Sequence, residues 1–148
     1  MVTRKFWIGL LGGVLLTAGC ASMSQQRVAN KSLYDRLGGK EAITAVVDDF
    51  VGRVAADNRI NKFFAKANVP RLKSQLVNQI CEASGGPCKY TGPDMKTAHR
   101  GMEITNTAFE ALVGDLVATL DKFQVGEREQ KELLAALGPM KNDIVEKP

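Results

Sequence analysis

The chain has 148 residues, of which 45% are hydrophobic and 24% are charged, and its formal net charge is +4. This length suits one globular domain with a substantial core and leaves little room for a second. Two of the positive charges, Arg4 and Lys5, lie in an N-terminal segment typical of a removable leader, and removing them from +4 leaves +2. A nearly neutral domain without a run of basic residues gives no support for nucleic-acid binding.

Residues 1–19 are typical of an export signal. Two basic residues precede an apolar run over residues 6–16, and small residues follow up to Cys20. The apolar run is shorter than a membrane anchor needs. The sequence LTAGC, which ends at Cys20, resembles the bacterial lipobox, in which the cysteine is lipidated. Ordinary secretion, with Cys20 discarded or left free, is the alternative.

A small, polar tract follows the predicted lipid anchor. Residues 20–31 show no sustained apolar period, which predicts a tether to a domain over residues 32–148. The resemblance to lipoproteins implies attachment through the lipid to the periplasmic face of a bacterial membrane. Ala21 and Ser22 lack the aspartate that commonly retains such proteins at the inner membrane, which slightly favours the outer membrane.

Two further cysteines, Cys81 and Cys88, are separated by EASGGP. In an exported protein such a pair predicts a disulfide rather than a metal site, and the glycines and the proline supply the turn. Two free thiols remain the alternative. Because no Cys-x-x-Cys-His run exists, covalent c-type haem attachment is unsupported.

Apolar residues recur at three- and four-residue steps through most of the chain, which predicts helices. The first predicted helix covers residues 40–57. Residues 58–67 predict a short helical turn, and Pro70 suits the first position of a helix that continues over residues 71–83. Residues 84–94 are rich in turn formers.

The second half of the chain continues the helical pattern. Asp94 predicts the cap of a very short helix that ends at His99, and Thr105 predicts the start of the next helix. A last helix is predicted over residues 127–145, with a kink or break at Pro139. Because no stretch alternates with a period of two, we predict an all-α fold.

His99 is the only histidine in the chain. Three roles are open for it: an incidental polar residue, one member of a catalytic group, or the sole protein ligand of a cofactor metal. Judged from periodicity alone, an isolated histidine in this setting is more often structural or exposed than functional. The surrounding motifs are therefore needed to choose among these alternatives.

Five motifs occur in order along the chain. They are YDRLGG at 34–39, VVDDF at 46–50, the phenylalanine pair at 63–64, GGPCKYTG at 85–92 and MKTAHRGMEIT at 95–105. Together they resemble the group I truncated haemoglobins, the short globins with a two-over-two helical sandwich, from about Leu33 to about Val145. The resemblance implies a non-covalent haem b (iron protoporphyrin IX), with His99 as the proximal iron ligand. A neutral imidazole is the usual axial donor to haem iron.

The resemblance also implies which side chains surround the haem. For each of them ordinary core packing, or a solvated surface position, is the alternative. The expected contacts are Phe50, Val51, Phe64, Leu72, Leu76, Ile80, Met95, Phe109, Leu112 and Leu116, and the candidate partners of the haem propionates are Lys73, Arg71 and Tyr90.

The chain departs from the family pattern on the distal side. Many group I members carry a tyrosine after the phenylalanine of the VVDDF-like motif, where this chain has Val51, and a glutamine where it has Leu76. Without these donors we expect dioxygen to be held loosely. Gln79 and Gln75 are candidates to replace the missing donor. A second histidine ligand is excluded because there is no second histidine.

The function that the resemblance implies is reversible binding of O2, NO and CO at a pentacoordinate haem iron, for oxygen transport or gas sensing, with an unidentified reductant. One alternative is a haem redox enzyme, such as a nitric oxide dioxygenase, or an electron-transfer haem protein. Another is a haem-free helical lipoprotein that keeps only the fold. We expect binding rather than catalysis, because dioxygenation requires a firmly held dioxygen.

Overall fold

A computed structural model describes residues 31–147 of the protein. The predicted signal peptide, Cys20 and the tether up to residue 30 lie outside the described residues and stay predictions. The helices are α1 (Leu33–Arg36), α2 (Gly39–Ala56), a 3-10 turn (Asn61–Phe64), α3 (Val69–Ala83), α4 (Met95–His99), α5 (Asn106–Lys122), α6 (Glu127–Leu137), a second 3-10 turn (Gly138–Met140) and α7 (Lys141–Ile144).

The all-α prediction is confirmed for this part of the chain. Its one β-type feature is an isolated parallel bridge between Thr105 and Lys147. Within residues 31–147, no helix combines the length and the apolar character that a membrane span requires.

Helix starts follow the capping residues. As predicted, Asp94 caps α4 by accepting from the Thr97 amide at 2.8 Å, and Thr105 caps α5. The start of α3 differs by one residue, because Asn68 accepts from the Arg71 amide at 3.0 Å and α3 therefore begins at Val69, before Pro70. Polar side chains that satisfy the first free amides thus decide where these helices begin.

The last predicted helix is interrupted where expected. Helix α6 ends at Leu137, a 3-10 turn that contains Pro139 follows, and α7 resumes at Lys141. Proline lacks an amide hydrogen and its ring clashes with the preceding turn. The interruption lets the C-terminal segment turn back towards α4, which α7 contacts.

The core lies between α2, α3 and α5. The apolar face predicted for α2 is buried at Ile43, Val47, Phe50, Val51 and Val54. Leu120 of α5 and Leu133 of α6 are each 1% exposed. Full burial of a side chain of this size contributes about 1.5–3 kcal/mol. These buried residues of α2, α5 and α6 therefore supply much of the stability of the fold.

Gly38 and Gly86, one from each of the two glycine motifs, lie at positions where other residues are disfavoured. Gly38 has φ +91°, a left-handed conformation that favours glycine, at the cap of α2. Gly86 is needed for a different reason, because a Cβ there would lie 2.7 Å from the Cys81 sulfur and clash with the Tyr34 ring. The Tyr34 amide donates to the Ser84 carbonyl at 2.9 Å, which joins α1 to the end of α3.

The predicted disulfide is present. Cys81 and Cys88 are bonded, and their Cα atoms are 5.7 Å apart. Cys81 is fully buried in α3, whereas Cys88 lies in the segment that leads to α4. The bond therefore ties the end of one long helix to the approach of the short helix that carries His99.

Candidate cofactor pocket

A cavity of about 450 Å³ lies among the helices. Its wall is apolar except for four side chains with polar nitrogen or oxygen atoms: Gln75, Gln79, Tyr90 and His99. A concave, mainly apolar site of this size, with few polar groups, is typical of a small-molecule or cofactor site. Of the predicted contacts, the cavity wall contains Phe50, Phe64, Leu72, Leu76, Ile80, Met95, Phe109, Leu112 and Leu116.

His99 closes α4 and lies in the cavity wall, half-buried. Its Nδ1 is 2.7 Å from the Met95 carbonyl oxygen. A carbonyl only accepts hydrogen bonds, so Nδ1 carries the proton and donates it. The Nε2 lone pair is then available to a metal, and the hydrogen bond fixes both the tautomer and the ring orientation.

A second part of the cavity wall is formed by α2 and α3. Leu72, Leu76 and Ile80 present a row of branched apolar side chains from α3, and Phe50 contributes from α2. No hydroxyl or amide lies among these four side chains. This part of the wall therefore presents an apolar surface to the cavity.

Val51 lies in an adjoining space and does not line the main cavity. It is 8% exposed and borders a second cavity of about 380 Å³ between α2 and α3. The two cavities share four wall residues, Phe50, Phe64, Leu72 and Leu76. Because Val51 follows Phe50 by one residue on α2, its side chain lies towards the smaller cavity.

Two of the polar groups in the wall are already bonded within the protein. The Gln75 amide nitrogen donates to the Thr91 hydroxyl at 3.2 Å, and Gln75 Oε1 accepts from the Thr91 amide at 3.4 Å. The Tyr90 hydroxyl donates to the Pro93 carbonyl at 2.7 Å. Partial burial raises the pKa of Tyr90, so this hydroxyl keeps its proton at neutral pH.

Gln79 has weaker partners. Its amide nitrogen lies 3.2 Å from the Met95 sulfur and 3.4 Å from the Met140 sulfur. Thioether sulfur is a weak acceptor, so these contacts hold the amide group by packing more than by hydrogen bonding. Of the polar residues in the wall, Gln79 is therefore the one whose donor is most easily redirected.

Two of the three candidate propionate partners lie off the cavity. Lys73 Nζ is 2.9 Å from Asp48 Oδ1 on α2, and Arg71 is exposed. Tyr90 does line the cavity. Two other lysines lie beside aromatic residues of the wall: Lys62 Nζ is 5.0 Å from the Phe63 ring centre and Lys141 Nζ is 5.6 Å from the Phe109 ring centre.

Several wall residues were not predicted. Four apolar residues of the predicted last helix, Leu134, Leu137, Met140 and Ile144, line the cavity, and their helical spacing was a signal that could have found them. Ile60 and Ile104 come from a turn and a loop, for which helical periodicity carries no information, whereas Phe63 belongs to the phenylalanine pair that the family resemblance placed beside the haem. The further wall residues are Ala67, Ala98, Met102, Ala108, Val113 and Gly138.

A comparison with known protein families identifies the family of this chain. The family described as bacterial-like globin matches residues 32–146. The chain belongs to the bacterial-like globin family. Membership in this globin family supports a role in binding haem and a gaseous ligand.

Curated relatives of this globin are named group 1 truncated haemoglobins. The protein named GlbN from Mycolicibacterium paratuberculosis is 40% identical over 113 residues, which cover 76% of this chain and 83% of the relative. A relative from Tetrahymena pyriformis is 31% identical over 117 residues, which cover 79% of this chain and 97% of the relative.

Solved structures of similar globins share the fold. The Fe(III) form of the truncated haemoglobin from Tetrahymena pyriformis matches with a TM-score of 0.75 and 30% identity, and covers 78% of this chain and 98% of its own. The 2/2 haemoglobin from Synechococcus sp. PCC 7002, solved in the cyanomet state with covalently attached haem, matches with a TM-score of 0.74 and 30% identity, and covers 79% of this chain and 100% of its own. The two-over-two prediction is confirmed.

The side chains present fit a haem. A flat apolar macrocycle requires apolar surroundings, and the cavity wall is mainly apolar. The iron requires an axial donor, for which a neutral imidazole is the usual choice, and the Nδ1–H bond of His99 leaves Nε2 free for that role. Tyr90 and the two lysines beside Phe63 and Phe109 are polar groups that can interact with the propionates.

Proposed function

We propose that this globin binds haem b non-covalently, with His99 as the iron ligand, and that it binds O2, NO and CO reversibly. The observation that carries the proposal is the His99 Nδ1 to Met95 carbonyl bond of 2.7 Å inside an apolar cavity. Bound haem supplies the iron at which a diatomic gas coordinates. The remaining steps concern what the residues of the chain do.

His99 anchors the cofactor from the side of α4. Because its Nδ1–H is bonded to the backbone one turn earlier in the same helix, the ring rotates little. The apolar side chains of α3 exclude water from the opposite face. Because the sequence has no second histidine, a bis-histidine iron is excluded.

The distal wall favours loose retention of dioxygen. A donor in an apolar cavity stabilises dioxygen by about 1.5–3 kcal/mol, and carbon monoxide much less. Leu72 and Leu76 offer no donor, and Gln75 is paired with Thr91. We therefore propose fast dioxygen release and poor discrimination in favour of dioxygen, which suits gas transport or sensing.

Non-covalent attachment is supported by the reactive side chains available. Covalent links to haem commonly use a histidine or a cysteine thiol. His99 is the single histidine, Cys81 and Cys88 are joined in a disulfide, and Cys20 is the residue that we propose is lipidated. We expect acidified butanone to extract the haem completely. Colour that stays with the protein after extraction would contradict this.

The test of the proposed function is an absorption spectrum of the full chain after reconstitution with haemin, before and after dithionite and carbon monoxide. We expect one haem per chain, a five-coordinate ferrous spectrum, and a shift to a six-coordinate spectrum with carbon monoxide. A colourless preparation, or a ferrous spectrum that carbon monoxide leaves unchanged, would overturn the proposal. Haem-titrated bovine serum albumin, which binds haem without a globin pocket, is a suitable control.

We also propose that the protein is exported and anchored by a lipid at Cys20 to the periplasmic face of a membrane. The LTAGC sequence supports this, as does the disulfide, which forms and persists in oxidising compartments. In cells that express the full chain, we expect labelled palmitate in the parent and none in Cys20→Ser. Equal labelling of the two, or none in the parent, would contradict the anchor. Membrane fractionation of the labelled parent would show whether the outer membrane holds it, as we expect.

A further inference from the structure

The segment that follows His99 has a backbone that needs external support. Gly101 has φ +77° and Glu103 has φ +56°, both in the left-handed region. Glu103 is not a glycine, so its conformation is unfavourable by itself. Helix α4 before it is only five residues long, and an isolated helix of that length has little stability of its own. Contacts from elsewhere in the chain must hold this segment.

The side chain of Glu146 supplies those contacts. One carboxylate oxygen accepts from the Gly101 amide at 2.7 Å, and the other accepts from the Glu103 amide at 2.6 Å. These two donated bonds lower the pKa of Glu146, so the group is ionised at neutral pH. A carboxylate that accepts two backbone amides makes strong, directional bonds.

The backbone of the same tail binds the next residue of the loop. The amides of Glu146 and Lys147 donate to the Ile104 carbonyl at 2.9 and 3.1 Å. Lys147 Nζ is 2.7 Å from Glu103 Oε1. Ile104 is 7% exposed and lines the cavity, so this tail contacts the residues that join His99 to α5 on their outer side.

The position of this loop affects His99, because the two are joined by a hydrogen bond. The Met102 amide donates to the His99 carbonyl at 3.1 Å, within the turn whose flanking amides Glu146 holds. The positive charge of Lys147 also favours the ionised Glu146 carboxylate. A shift of Gly101 or Glu103 therefore changes the end of α4 and the direction of the imidazole.

We propose that Glu146 is a positioning residue for the iron ligand. By holding the Gly101 and Glu103 amides it fixes the loop after His99, and through the loop it fixes the height and tilt of the imidazole under the haem. Glu146 acts through the loop and is no part of the cavity wall. This inference rests on the proposed function, because His99 must be the iron ligand for its effect on the iron to exist.

The experiment compares the haem-loaded full chain with Glu146→Ala and Glu146→Gln. Glu103→Gln is the matched control, because it removes a carboxylate of the same loop that pairs with Lys147 and leaves the two amide bonds in place. Three readouts are taken: hydrogen exchange of the amides of residues 101 and 103, the iron–imidazole stretching band of the ferrous form, and the rate of haem loss to excess apomyoglobin.

We expect Glu146→Ala to exchange both amides at least about tenfold faster, to shift or broaden the iron–imidazole band, and to lose haem about tenfold faster. Glu146→Gln keeps one acceptor oxygen and should show a smaller change in the same direction. This variant tests the role of Glu146 even if Glu146→Ala does not fold. Glu103→Gln should resemble the parent.

A Glu146→Ala or Glu146→Gln protein with the parent's band and haem-loss rate would overturn the inference, even if amide exchange increases. Equal effects of Glu103→Gln and Glu146→Ala would also overturn it, because the carboxylate would then have no special role. A parent chain that binds no haem is a different result, since it refutes the proposed function itself.

Discussion

The two walls of the cavity are held in place by different forces. The proximal wall is one turn of helix whose geometry depends on directional bonds: the Asp94 cap, the His99 bond to Met95 and the Glu146 bonds to the following loop. The distal wall consists of side chains from two long helices packed in the core, with Leu76 and Ile80 as examples.

This difference separates two properties of the site. Directional bonds set where one atom, His99 Nε2, is aimed, so small changes on the proximal side should alter the iron bond. Apolar packing sets shape and excludes water, and it tolerates exchange of side chains of similar volume. The distal wall is therefore the place where gas selectivity can change without loss of the cofactor.

The largest expected effect comes from placing a donor in the distal wall. Leu76 lines both cavities, and Val51 borders the smaller one, which has room for a ring. We expect Leu76→Gln to slow dioxygen release about ten- to a hundredfold, because its amide then lines the main cavity, and we expect a smaller slowing in Val51→Tyr, because residue 51 borders only the smaller cavity. Flash photolysis or stopped-flow mixing measures the rate. Leu76→Met, of similar volume and without a donor, should leave the rate near that of the parent, and an unchanged rate in both donor variants would refute the apolar distal wall.

The disulfide joins the two walls, because it connects the end of α3 to the approach to α4. For a sequence separation of 7, loop-closure entropy predicts a loss of about 2.5 kcal/mol of unfolding free energy in Cys81→Ala/Cys88→Ala. Urea unfolding of the haem-loaded protein measures the loss, and dithiothreitol should produce a similar loss in the parent. Equal midpoints for the parent and the double variant would show that the bond is not needed to connect the walls.

A smaller effect is expected from Asp115 on α5, which belongs to neither wall. It is 8% exposed, its Oδ2 has no hydrogen-bond partner among the described residues, and burial raises its pKa, with the charge of Asp57 adding to the effect. The folded protein then keeps a proton that the unfolded chain releases. Its contribution to stability therefore falls as the pH rises from about 4, the ordinary aspartate value, through the raised pKa.

Thermal unfolding at several pH values tests this. Asp115→Asn should gain stability relative to the parent as the pH rises, with gas binding unchanged. Asp143→Asn, at an exposed aspartate of α7, is the control and should follow the parent. A parent-to-Asp115→Asn difference that stays constant with pH would contradict the assignment.

The smallest effect is expected at Gln79, whose amide lies against the sulfurs of Met95 and Met140. If that amide stays with the sulfurs in the haem-loaded protein, Gln79→Leu should change the dioxygen release rate by less than about twofold. Gln75→Leu, at the residue paired with Thr91, provides the comparison. A tenfold acceleration in Gln79→Leu alone would identify Gln79 as the distal donor.

Local sequence patterns predicted the helices and much of the pocket. Helical periodicity identified the buried face of α2, Asp94 was recognisable as a cap from its position, and motif order pointed to the fold. These features depend on residues close together in sequence. The resemblance also selected His99, which periodicity alone would have left as an ordinary polar residue.

Features that depend on distant residues were not predictable in this way. Lys73 pairs with Asp48 rather than lining the cavity, because α2 brings a carboxylate within reach of it. Val51 turns towards the neighbouring cavity, which depends on how α2 sits against α3. The bond that the Gly101 amide donates to Glu146 spans 45 residues, and no local pattern marks it.

The most direct test of the central claim is the absorption spectrum of His99→Gly, reconstituted with haemin and reduced, with and without added imidazole. We predict that the variant loses the five-coordinate ferrous spectrum of the parent, and that imidazole restores it by occupying the place of the missing side chain. A His99→Gly spectrum that matches the parent's without imidazole would show that another group holds the iron.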